Sequence, residues 1–123
     1  MKILVIDDSR AVHSLLGEML QGHNIALQRA YNGQEGLDAL SARDFAADMV
    51  LLDWEMPILT GIDALPQLVG RRPGLPIVMM TSKNAMADIT EALSKGAVDY
   101  IIKPFTQDIL IGKISQVCGR EVA

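Results

Sequence analysis

The chain is expected to fold as a doubly wound α/β sandwich, (βα)5, around a five-stranded parallel sheet in the order 2-1-3-4-5. Three observations lead there. Short apolar runs alternate with amphipathic stretches five times along the 123 residues. Most of these runs are continuous rather than alternating, the mark of strands covered on both faces. The second run is half polar, which suits an edge strand, and the 2-1-3-4-5 order places the second strand at an edge.

Taken in order, residues 3–6, 49–52 and 77–80 are unbroken apolar runs, and Tyr100-Ile101-Ile102 is a shorter one. Residues 24–30 differ, with Ile25 and Leu27 alternating against Asn24, Gln28 and smaller residues. Between the runs lie helical patterns. Val12, Leu15, Leu16, Met19 and Leu20 share one face of a first helix, and Ser9 stands ahead of them as an N-cap. Leu37 and Leu40 mark a second helix after Asn32-Gly33. Ile62, Leu65, Leu68 and Val69 mark a third, closed by Arg71-Arg72-Pro73-Gly74. Pro66 falls just past the first turn of that helix, so a kink or a later start is expected there. Met86, Ile89 and Leu93 mark a fourth, with Asn84 as its cap and Gly96 as its stop; Ile109, Leu110, Ile114 and Val117 mark the fifth. No linker, internal repeat or low-complexity segment interrupts the pattern, so residues 1–123 read as one domain.

Composition narrows the function. Half of the residues are hydrophobic, 21% are charged, the formal net charge is -4 and the sequence pI is near 5.0. That balance argues against direct nucleic-acid binding, which rests on neutralising phosphates. The one basic pair, Arg71-Arg72, reads as a solvated helix end. A single cysteine, Cys118, cannot staple the fold and reads as a helix-face residue. The apolar start after Met1-Lys2 is too short for a signal-peptide core, and no run approaches the ~20 residues that cross a bilayer. A soluble, cytoplasmic protein without membrane insertion is expected.

In an open α/β sheet the functional crevice lies beyond the carboxyl ends of the strands. Here the first strand ends in Asp7-Asp8, the third in Asp53, the fourth in Thr81-Ser82 and the fifth in Lys103-Pro104. Clustered carboxylates repel unless a cation neutralises them, and an all-oxygen donor set suits Mg²⁺. A carboxylate can attack phosphorus to form an acyl phosphate, with the metal and a lysine stabilising the transferred group's oxygens and a hydroxyl bonding the same group. Each residue alone has an ordinary structural role: an aspartate capping a helix, a threonine doing the same, a surface lysine. Four such coincidences at four strand ends are harder to accept than one site.

These residues carry a resemblance. Ile6-Asp7-Asp8, Asp53-Trp54-Glu55-Met56-Pro57 with Gly61, Met80-Thr81-Ser82 and Lys103-Pro104-Phe105 are similar to the signatures of bacterial two-component response-regulator receiver domains, in order and across essentially the whole chain. The resemblance implies a flavodoxin-like fold and phosphorylation of Asp53 by a histidine kinase or histidine phosphotransfer protein. It implies Mg²⁺ bound by Asp8, Asp53 and the backbone carbonyl of Glu55, with Asp7 acting mainly through water, and Thr81 and Lys103 on the phosphoryl oxygens. It implies a cis Lys103-Pro104 peptide bond, and a switch in which Thr81 moves and Tyr100 turns inward. That switch changes the face formed by the fourth helix, fifth strand and fifth helix, which a downstream protein reads. Glu55 and Lys83 stand where the family tunes phosphoryl lifetime, and their opposite charges suggest a pair across the site mouth. Glu55-Met56-Pro57 is also similar to the receivers of chemotaxis methylesterases. Only self-directed phosphotransfer and dephosphorylation are expected as catalysis.

Two other classes fit the residues less well. A haloacid-dehalogenase-type phosphatase carries a second aspartate two residues after its nucleophile, where this chain has Glu55, and a substrate-covering cap for which there is no segment. A flavodoxin-like nucleotide or flavin module needs a phosphate-cradling loop after the first strand, where Asp7-Asp8-Ser9 instead presents negative charge. The chain ends soon after the fifth helix, so it is expected to act by docking on a partner or as a part of a longer regulator.

Overall fold

A computed structural model describes residues 1–42 and 46–119. Five strands and five helices alternate: β1 (Lys2–Ile6), α1 (Arg10–Met19), β2 (Ala26–Ala30), α2 (Gly33–Ser41), β3 (Met49–Leu52), α3 (Gly61–Arg71), β4 (Ile77–Thr81), α4 (Met86–Ser94), β5 (Asp99–Ile102) and α5 (Gln107–Cys118). The strands form one parallel sheet in the order β2-β1-β3-β4-β5, as the sequence predicts.

Alternate residues of each strand serve opposite faces, which is why the strands read as unbroken apolar runs. Leu4, Ile6, Val50, Leu52, Ile77 and Met79 pack with Leu37, Leu40, Leu65 and Leu68 beneath α2 and α3. Ile3, Val5, Met49, Leu51, Val78 and Met80 pack with Leu16, Leu110 and Ile114 beneath α1 and α5. Each fully buried Leu or Ile contributes about 1.5–3 kcal/mol, so both layers hold the sheet firmly. β2 is the exposed edge, with only Ala30 buried.

Several local expectations are corrected. β2 begins at Ala26 rather than residue 24, because Asn24 takes a left-handed backbone at φ 56°, which no strand residue adopts. α3 starts at Gly61, capped by Thr60, and runs through Pro66 to Arg71, so the later start does not occur. Pro66 is exposed and the only group it removes is the N–H that the Ile62 carbonyl would accept. α4 is capped by Ala85, not Asn84, and no side chain accepts from its first turn. Its predicted apolar face is also largely in water: Met86 is 75% and Leu93 45% exposed, and only Ala92 is buried. Nor are the two arginines merely solvated. Arg71 Nε donates to Ser41 Oγ at 3.1 Å and Arg72 Nε to the Leu40 carbonyl at 3.1 Å, tying the end of α3 to the end of α2. Cys118 lies on a helix face as read, its Sγ 3.9 Å from Met49 Sδ. Of the C-terminal tail, residues 120–123 lie outside the described residues.

Strand register levels the ends that matter. Ile6 pairs with Leu52 across β1 and β3, so Asp7 and Asp53 leave the sheet side by side. The Asp53 N–H still donates to the Ile6 carbonyl at 2.9 Å. On the other side Thr81 pairs with Ile102, and the Lys103 N–H donates to the Thr81 carbonyl at 2.9 Å.

Candidate functional site

Four loops deliver the predicted residues to one crevice. Carboxylate oxygens of Asp7, Asp8 and Asp53 all lie within 4.8 Å of one another. Asp7 is fully buried and Asp53 is 7% exposed, whereas Asp8 faces solvent. Lys103 Nζ bridges the two buried acids, 2.8 Å from Asp7 Oδ2 and 3.3 Å from Asp53 Oδ1. The peptide bond before Pro104 is cis, as the resemblance implies.

Close packing of the backbone positions Asp53. The Gly61 N–H donates to the Trp54 carbonyl at 2.7 Å, and a Cβ on Gly61 would lie 1.7 Å from the Asp53 carbonyl oxygen. Only glycine lets α3 begin so close to the backbone of Asp53.

The charge arithmetic of the crevice is unbalanced: three carboxylates face one ammonium. Two like charges ~4 Å apart near a protein surface repel by about 4 kcal/mol. The Asp53 carboxyl is accordingly pushed up to about 6, first by burial and then by the Asp7 charge, against the pull of Lys103 and a backbone hydrogen bond at Trp54. A divalent cation would supply the missing positive charge. Three carboxylate oxygens converging from two strand ends fit a hard oxygen-preferring ion that keeps water ligands.

The remaining predicted residues line the crevice's other wall. Thr81 is buried at the last position of β4, and its Oγ1 accepts from the Lys83 N–H at 3.3 Å. Lys83 Nζ meets Glu55 Oε1 at 3.2 Å, so the expected pair across the mouth is present. The same ammonium stands 5.4 Å from the centre of the Trp54 ring. Tyr100 is turned inward, and its Oη donates to the Lys83 carbonyl at 2.7 Å. Burial, and secondarily the Asp88 charge, push the Tyr100 hydroxyl up to about 12. Lys83 thus touches Thr81, Tyr100, Glu55 and Trp54.

One residue at this crevice escaped the reading of the sequence. His13 is buried on α1 and its Nε2 lies 2.8 Å from the Asp7 carbonyl oxygen. The signal was available: His13 stands three and seven positions before Leu16 and Leu20, on the covered face of the helix.

Fold and crevice together define a doubly wound α/β domain with an acidic cluster at the carboxyl edge of its sheet. Residues 3–115 match the response regulator receiver domain family, and the chain belongs to it. Among curated relatives it is 33% identical over 119 residues to response regulator MprA of Mycobacterium tuberculosis (strain ATCC 25618 / H37Rv), covering 97% of this chain and 51% of that protein. It is 36% identical over 119 residues to the transcriptional regulatory protein CpxR of Escherichia coli (strain K12), covering 97% and 50%. The chain therefore spans about half the length of the curated relatives it matches. Among solved structures, a two-component response regulator from Clostridium difficile superposes with a TM-score of 0.89 at 28% identity, covering 98% of this chain and 97% of the other. The chemotaxis protein CheY4 of Vibrio cholerae superposes at 0.83 and 27% identity, covering 94% and 97%. No helix among the described residues is long and apolar enough to cross a membrane.

Proposed function

We propose that this receiver domain accepts a phosphoryl group on Asp53 from the phosphohistidine of a histidine kinase or histidine phosphotransfer protein, in a Mg²⁺-dependent reaction. The observation that carries the reading is the Asp7–Asp8–Asp53 cluster with Lys103 bridging its two buried members. Asp8 and Asp53 would hold the ion, with the Glu55 backbone carbonyl as a further ligand and Asp7 behind them. The ion would supply the positive charge that the crevice and the transferred group lack.

The chain's own groups do the rest. An Asp53 carboxylate oxygen forms the new bond to phosphorus while the bond from phosphorus to the donor imidazole breaks. The electron pair leaves on that imidazole nitrogen, which takes up a proton. Lys103, already on Asp53, is placed to follow the charge onto the phosphoryl group. Thr81 gives up its contact with the Lys83 N–H to donate to a phosphoryl oxygen. Tyr100 holds the Lys83 carbonyl from the inward position, coupling this loop to the face made by α4, β5 and α5. Met86, Leu93, Ile102 and Ile109 leave apolar surface on that face, which suits docking of a downstream protein. Glu55 and Lys83 set how readily water reaches the acyl phosphate. The same chemistry serves a domain acting alone or within a longer regulator.

Labelling with acetyl phosphate tests the central step. Wild type with Mg²⁺ should acquire an alkali-labile phosphoryl group, and Asp53→Ala and EDTA-treated protein should not. Equal labelling of Asp53→Ala would place the acceptor elsewhere.

A further inference from the structure

We infer that His13 is a positioning residue for the acidic crevice: it fixes the peptide plane between Asp7 and Asp8 and thereby aims both carboxylates. The inference rests on the metal-site reading above and adds a residue that this reading does not use.

His13 is 1% exposed, and its Nε2 lies 2.8 Å from the Asp7 carbonyl oxygen. A carbonyl can only accept, so Nε2 carries the proton. Nδ1 is buried without a hydrogen-bond partner among the described residues, so this ring makes a single polar contact, and that contact is with the crevice. The ring packs at a tilt of 56° against Tyr31, with centroids 4.8 Å apart, and the Arg10 guanidinium lies over the Tyr31 ring at 4.8 Å. A packed cluster from α1 to the β2–α2 turn thus holds one N–H on one carbonyl.

That carbonyl matters because Asp7 is where the chain leaves the sheet. The Asp7 N–H donates to the Ala30 carbonyl at 3.0 Å, Oδ1 accepts from the Ser9 N–H at 2.9 Å and Oδ2 meets Lys103. His13 supplies the remaining restraint, on the carbonyl. The carbonyl of Asp7 and the N–H of Asp8 share one rigid peptide plane. Holding the first therefore fixes the N–Cα bond from which the Asp8 side chain departs, a side chain that no hydrogen bond or ion pair among the described residues holds directly. Partners behind metal ligands commonly govern affinity in this way, by about 10–100-fold when removed.

The test compares His13→Leu, which fills the space without a donor, with His13→Gln, whose amide nitrogen reaches where Nε2 stands. Mg²⁺ binding is followed by calorimetric titration with MgCl₂ and stability by urea unfolding in EDTA. Long-range ¹⁵N–¹H spectra of wild type report the tautomer. We expect the Leu variant to bind Mg²⁺ at least about tenfold more weakly, the Gln variant to recover most of the affinity, and wild type to show a neutral ring protonated at Nε2. If both variants lose stability alike while keeping wild-type affinity, His13 is a packing residue and the inference fails. It fails equally if Gln does not recover the affinity, or if the proton is on Nδ1. A wild type that takes up no Mg²⁺ overturns the metal-site reading itself, and this inference with it.

Discussion

Replacing Asp53 by asparagine should make the metal-free protein more stable at neutral pH and leave it unchanged in mild acid. Burial and the Asp7 charge raise the Asp53 carboxyl from 3.8 to about 6. At about 1.4 kcal/mol for each tenfold change, that difference corresponds to about 3 kcal/mol of preference for the neutral form. The folded value lies above the unfolded one, so the stability this group contributes is fully present below 3.8 and is lost as the pH rises through 6. Asparagine is neutral throughout and keeps it, and its carbonyl oxygen still accepts from Lys103. Urea unfolding in EDTA, followed by far-ultraviolet circular dichroism, should therefore show parity near pH 4. An advantage for Asp53→Asn should grow to about 3 kcal/mol by pH 7.5, or about 10 °C in melting temperature. Comparing the two proteins at each pH removes the other titrating groups from the difference. Excess Mg²⁺ should close the gap, since an ion at a hundred times its dissociation constant stabilises wild type by about 2.7 kcal/mol. An advantage that does not vary between pH 4 and 7.5, or a variant less stable at neutral pH, would refute the argument that unbalanced carboxylate charge strains this crevice.

Four further outcomes are expected. Gly61→Ala drives a methyl group onto the Asp53 carbonyl and should cost about 3–5 kcal/mol in urea unfolding; a loss under about 1 kcal/mol would mean that α3 can retreat freely. Ile58 is a β-branched residue at φ 73° and is 82% exposed, so Ile58→Asn should raise stability by about 1 kcal/mol, and an unchanged urea midpoint would speak against strain there. Glu55→Ala and Lys83→Ala should each alter the half-life of the acyl phosphate while changing stability by less than about 1 kcal/mol, because the pair is substantially exposed; two unchanged half-lives would remove the pair from any lifetime role. Trp54 adjoins Asp53 and faces the Lys83 ammonium, so its fluorescence should respond to Mg²⁺ and to beryllofluoride, and a flat titration with both would count against the metal site.

What was legible in the sequence follows from which forces act locally. Continuous apolar runs betray strands covered on both faces, and the residue after each run is then placed at the sheet's carboxyl edge by topology alone. Asp7, Asp53 and Lys103 were found in this way, and Thr81 differs only in being the last residue of its strand. Ser9 caps α1 as its side-chain chemistry suggests, and Asn32, placed by the sequence only ahead of the second helix, caps α2. Elsewhere distant contacts decide. Arg71 and Arg72 find partners on α2 some thirty residues away, which no local pattern encodes. Asn84 looked like a cap, but the chain turns into α4 one residue later. The apolar spacing of Met86 and Leu93 identified a helix correctly and its covered face incorrectly, because periodicity marks a surface that wants covering without saying what covers it.

The tight seating of Gly61 against Asp53 makes the two flanks of the crevice mechanically unequal. On the α3 flank, backbone meets backbone, Thr60 caps the helix and also donates to Asp63 at 2.9 Å, and five residues of α3 are buried. On the α4 flank the N-cap, Ala85, offers no side-chain hydrogen bond, and Ala92 is the one buried residue of the helix. A load applied at Asp53 works against an anvil on one side and a soft spring on the other. Displacement would accumulate in the more compliant member, so the stiffness of one glycine contact would direct any movement to the opposite wall, around Thr81 and Lys83.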